Sequence, residues 1–87
     1  MRSWLVDTGA FVAYFDSDDA HHERVSAAFD AVRPTIRTTM PVITEAIYML
    51  GHTTEGPAAL VEFLEITGAG ITASSSWQDL RKATALM

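Results

Sequence analysis

The chain has 87 residues, a net charge of −5 and no cysteine. That length allows one domain at most, burying only about 60–65% of the surface its unfolded chain exposes. Without cysteine there is neither a disulfide framework nor a thiolate metal centre, which makes a reducing, cytoplasmic setting the expectation. The acidic balance argues against a broad basic face for nucleic acid. A divalent metal that neutralises local charge would still let an acidic enzyme act on RNA.

Met1-Arg2 leads into only a short apolar stretch, and no apolar run approaches the roughly 20 residues of a membrane span. A soluble protein with no signal peptide and no membrane contact is therefore expected. The run Ser3-Trp4-Leu5-Val6 ends at Asp7 and turns at Thr8-Gly9, the pattern of a strand that delivers a carboxylate to the mouth of a parallel sheet. Ala10 to Phe15, with Phe11 and Phe15 four apart, reads as a first helix. Asp16-Ser17-Asp18-Asp19 reads as a loop whose later acids cap the next helix. A calcium loop begun at Asp16 would need Gly at its sixth position and Glu at its twelfth, and the chain has His21 and Ala27 there.

A second helix is expected from Ala20 to Val32, with Val25, Ala28, Phe29 and Val32 on one side. His21 and His22 point about 100° apart in its first turn, so cap or solvent roles fit them better than chelation. Pro34 ends this helix, and Thr35 to Thr39 reads as a second strand. A third helix runs from about Pro41 to Leu50 and stops at Gly51, its buried stripe formed by Ile43, Ala46, Ile47 and Leu50. Glu45 falls at the edge of that stripe, where an acid points either to solvent or into a cleft. Pro57 opens a fourth helix that ends at Gly68, and Ile71-Thr72-Ala73 reads as a third strand. Ser76 and Asp79 resemble a capping box for a fifth helix with Trp77, Leu80 and Ala83, whose apolar pattern continues to Leu86-Met87.

Strands separated by helices predict an α/β protein with a short parallel sheet and right-handed crossovers. If the first two strands are neighbours, Asp7 and the helix carrying Glu45 open onto one rim. Two carboxylates there are hard oxygen donors suited to Mg²⁺ or Mn²⁺.

The sequence at this point resembles the PIN-domain family, in particular the VapC-type toxins of toxin-antitoxin pairs. The matching residues are Leu5-Val6-Asp7-Thr8-Gly9-Ala10 with Phe11-Val12-Ala13, then Asp19 and His22, then Thr38-Thr39 with Val42-Ile43-Thr44-Glu45-Ala46 and Leu50. The segment from Ser76 to Met87 looks like the helix preceding the second half of the family's active site.

The resemblance implies a three-layer αβα fold and a metal-dependent endoribonuclease in which an acidic tetrad binds divalent ions. Asp7 and Glu45 would be both catalytic residues and ligands of Mg²⁺ or Mn²⁺, with the Thr8 hydroxyl supporting Asp7 or the backbone turn. RNA would be the substrate, a cognate antitoxin the partner, and homodimerisation is a family habit. Family members supply their third and fourth acids from later elements. Residues 1–87 are accordingly expected to be an incomplete PIN domain with its C-terminal part missing. The alternative is a catalytically inactive remnant that binds an antitoxin or itself. A phosphoacceptor receiver domain would want an acidic pair before the phosphorylated Asp and a lysine late in the chain, whereas this chain has a single acid after the first strand and only Lys82, in a helical stretch.

Overall fold

The computed structural model describes residues 2–72. Their order is β1 (Ser3–Leu5), α1 (Thr8–Phe15), α2 (His22–Val32), β2 (Thr35–Thr39), α3 (Met40–Met49), a 3₁₀ turn (Leu50–His52), α4 (Gly56–Thr67) and β3 (Gly70–Thr72). The helix expected over 76–87, with its Ser76/Asp79 cap, lies outside the described residues.

The three strands pair in parallel in the order β1-β2-β3, with Trp4 opposite Ile36 and Thr38 opposite Ile71. Two right-handed crossovers that step in the same direction put both helix pairs on one face of the sheet. The alternation in β2 agrees: Ile36 and Thr38 are buried, while Thr35 and Arg37 are exposed. Between sheet and helices lies the core, in which Phe11, Ile36, Leu50 and Leu60 are fully buried. Within it Phe29 packs edge-on to Trp4 at 5.4 Å, and at its margin Tyr14 packs edge-on to Phe63 at 5.3 Å, geometries that suit the quadrupoles of the rings.

Local chemistry sets the ends of the elements. The first helix starts at Thr8, two residues before the expected Ala10, because Asp7 caps it through its side chain. The second starts at His22 because Asp19 closes a turn of its own first: its Oδ1 accepts from the His21 N–H at 2.8 Å and its carbonyl from the His22 N–H at 3.1 Å. It ends at Arg33, which takes a left-handed conformation (φ 48°) to close the cap ahead of Pro34. At the end of α4 the same left-handed cap falls to Gly68 (φ 65°), which adopts it without Cβ strain. Gly56 answers a different need. Its N–H donates to Thr53 Oγ1 at 3.0 Å, and a Cβ there would collide with that oxygen and lie 3.2 Å from Leu50 Cβ.

Candidate active site

Parallel pairing brings the C-terminal ends of β1 and β2 to the same edge of the sheet, and each strand hands over there to a helix. After β1, Val6 and Asp7 lead into α1. Asp7 is extended (φ −95°, ψ 176°), its Oδ1 accepts the Ala10 N–H at 2.9 Å, and its carbonyl accepts the Phe11 N–H at 3.2 Å. These bonds tie down one carboxylate oxygen and leave Oδ2 without a partner among the described residues. After β2, Thr39 caps α3 by accepting the Val42 N–H on Oγ1 at 3.3 Å. Two helix N-termini therefore face one rim, and their positive ends favour anions there. The cap is Asp7 itself; no hydrogen bond from the Thr8 hydroxyl is found among the described residues.

Glu45 lies six residues beyond the cap of α3, about 9 Å down the axis at 1.5 Å per residue. Its Cα–Cβ bond tilts toward the helix N-terminus, hence back toward the rim. The residue is exposed and makes no hydrogen bond or ion pair with a described residue. Buried Ile43, Ala46 and Leu50 and partly buried Ile47 form the inward stripe, so Glu45 occupies the solvent side of its edge.

The two acids line separate concavities. Asp7 borders one of about 300 Å³ with Trp4, Ala10, Val25 and Phe29, and Glu45 one of about 600 Å³ with Met40, Pro41, Thr44 and Tyr48. Among the described residues no three His, Cys, Asp or Glu gather around a point that could hold a metal ion. The donor chemistry nonetheless fits Mg²⁺ or Mn²⁺: both groups are carboxylates, one has an uncommitted oxygen, and the other is wholly uncommitted. Two such ligands leave most of the coordination shell to water or to further donors.

The other end of the helical layer holds polar contacts that the sequence did not suggest. Asp16 Oδ1 accepts the Asp18 N–H at 3.0 Å, and Asp16 Oδ2 accepts from His52 Nε2 at 3.0 Å. His52 Nδ1 also faces an acceptor, the Met49 carbonyl at 2.8 Å, so both bonds form together only in the imidazolium state. The backbone N–H of Asp18, then the hydrogen bond from His52, hold the Asp16 carboxyl below its ordinary value of 3.8. His22 donates through Nδ1 to the Ala13 carbonyl at 2.7 Å, stitching α2 to α1. Asp16 and His52 are 36 positions apart, and residue type alone carries no signal for that pairing.

No helix among the described residues is long and apolar enough to cross a membrane. No curated protein matches the chain. The PIN domain family model matches residues 4–87, which is nearly all of it. The chain belongs to the PIN-domain family, whose members are commonly nucleases.

Proposed function

We propose that this PIN domain is a metal-dependent endoribonuclease of the toxin-antitoxin type, with Asp7 and Glu45 as the carboxylates that hold Mg²⁺ or Mn²⁺. The observation that carries the reading is the state of Asp7. It stands at the end of β1 with Oδ1 fixed by Ala10 and Oδ2 uncommitted, on the rim toward which Glu45 of α3 is inclined. When bound, the ion supplies Lewis-acid polarisation of a phosphodiester and makes water a competent nucleophile near neutral pH. The chain's own residues do the rest. Asp7 and Glu45 fix where the charge sits, and the N-termini of α1 and α3 favour the incoming phosphate. Asp7 and Glu45 would leave further coordination positions of such an ion to other donors.

The test is cleavage of a labelled single-stranded RNA with Mg²⁺ or Mn²⁺ by wild type and by Asp7→Asn. Cleavage that disappears in the variant supports the assignment, and cleavage that survives it contradicts the assignment.

A second reading is favoured by the outer face of α3. Tyr48 is 86% exposed and, with exposed Met40, lines the concavity that holds Glu45. In this reading the chain is a catalytically inactive module that binds an antitoxin or a second copy of itself, in the cytoplasm. Tyr48→Ser would then abolish co-purification with the antitoxin or the dimer, while Asp7→Asn would leave it intact.

A further inference from the structure

Thr38 is a buried hydroxyl in an apolar row. It is 2% exposed and stands two residues beyond Ile36 on the face of β2 that meets the helices. Valine has the same shape and no polar atom to bury, so packing alone gives no reason for threonine there. The reason lies in its partner. Thr38 Oγ1 donates to the Val6 carbonyl at 2.9 Å, across the gap between β2 and the end of β1.

That carbonyl marks the point where β1 leaves the sheet. Ladder pairing ends at Leu5 opposite Arg37, and the Val6 N–H makes the last backbone bond to β2, donating to the Arg37 carbonyl at 2.8 Å. A ladder carried one step further would bring a backbone N–H of β2 onto the Val6 carbonyl. The chain turns toward α1 instead, and the Thr38 hydroxyl supplies the donor. The Val6 carbonyl and the Asp7 N–H are two sides of one planar peptide, so fixing the first orients the unit from which Asp7 departs. From the far side, Ala10 and Phe11 hold the Asp7 carboxylate and carbonyl.

We propose that Thr38 is a positioning residue for the metal site: its hydroxyl anchors the Val6–Asp7 peptide so that Asp7 Oδ2 is presented to the divalent ion. This rests on the reading of Asp7 as a metal ligand. A partner of this kind, one step behind a ligand, typically changes metal affinity by about 10–100-fold when removed.

The experiment compares wild type with Thr38→Val, Thr38→Ala and Thr38→Ser. Two readouts are used: residue-resolved amide exchange of the metal-free protein, and Mn²⁺ titration by calorimetry. Thr38→Val and Thr38→Ala are expected to speed exchange of the Ala10 amide several-fold, leave Leu60 and Leu64 in α4 protected as in wild type, and weaken Mn²⁺ binding about 10-fold. Thr38→Ser keeps the donor and should stay near wild type in both. The Ala variant, with less bulk to place, carries the test if the Val variant does not fold. Wild-type Ala10 exchange and Mn²⁺ affinity in a folded Val or Ala variant overturn the role of Thr38. So does loss of protection spread equally over α4, which marks a packing role. A wild type that takes up no Mn²⁺ overturns the function proposed above and, with it, this assignment; Mn²⁺ binding lost in Asp7→Asn but unchanged in Thr38→Val overturns Thr38 alone.

Discussion

At the rim where β1 and β2 end, Asp7 gives one carboxylate oxygen to the Ala10 N–H and keeps the other, and further along α3 Glu45 gives neither to a described residue. At the far end of the helical layer Asp16 gives both, one to the Asp18 N–H and one to His52. In sequence the second region is the more suggestive, because Asp16, Asp18 and Asp19 crowd together like a cation loop. In the structure Asp16 and Asp19 each accept a backbone N–H two residues on, and Asp16 gives its second oxygen to His52. Asp7 and Glu45 are sparser, and both are less engaged than Asp16. The difference teaches that an acid is available for chemistry when its oxygens are unclaimed, and that clustering along the chain says little about it.

The contrast can be broken most severely at Asp7. Asparagine caps a helix about as well as aspartate, so Asp7→Asn should keep the fold of α1 while removing the charge. RNA cleavage is expected to fall by on the order of a hundredfold or more, the scale set by losing one charge-stabilising group, with the melting temperature unchanged. Equal losses of melting temperature and cleavage would instead make Asp7 a structural cap.

The far end is sharpened by Gly56→Ala. A Cβ there meets Thr53 Oγ1 and Leu50, both of which sit in the turn leading to α4. Urea denaturation should show a loss of about 1–3 kcal/mol, the range for overpacking a close approach. Tolerance of alanine would mean that this turn is looser than its contacts imply.

Glu45→Gln comes next. Because Glu45 is exposed and unpaired among the described residues, its removal should leave stability within about 0.5 kcal/mol while lowering cleavage roughly tenfold. A destabilised variant would show that Glu45 is a packing residue at the stripe's edge.

The smallest effect belongs to Asp16→Asn, and its sign is fixed. The Asp16 carboxyl is held below its ordinary value of 3.8, so the folded state favours the ionised form. Its contribution to stability is present above 3.8 and is lost as pH falls through the lower folded value. Wild type should be slightly more stable than Asp16→Asn near neutral pH, and the two should converge under strong acid. The effect is modest because the pair is surface-bound, with His52 63% exposed. A gap that widens on acidification would refute the assignment.

Much of this arrangement was legible in the residues. The β-branched alternation of Thr35 to Thr39 marks β2 over the span observed, and Gly68 marks the end of α4. Asp7, at the junction of an apolar run and a helix, was legible as a cap and as a candidate ligand at once, and the structure shows the cap. Helix starts were less so. The first two are shifted by two residues each, since which acid caps and which closes a turn depends on backbone angles that residue type does not fix. The pairings that cross the molecule were invisible. Asp16 meets His52 across 36 positions and Thr38 meets Val6 across 32, and nothing local to either residue names the partner.

The central claim is that Asp7 and Glu45 bind metal and Asp16 does not. Calorimetric titration of Mn²⁺ into wild type, Asp7→Asn and Asp16→Asn tests it directly. The account predicts binding in wild type, binding retained in Asp16→Asn, and none in Asp7→Asn. Binding that survives in Asp7→Asn and disappears in Asp16→Asn would contradict it.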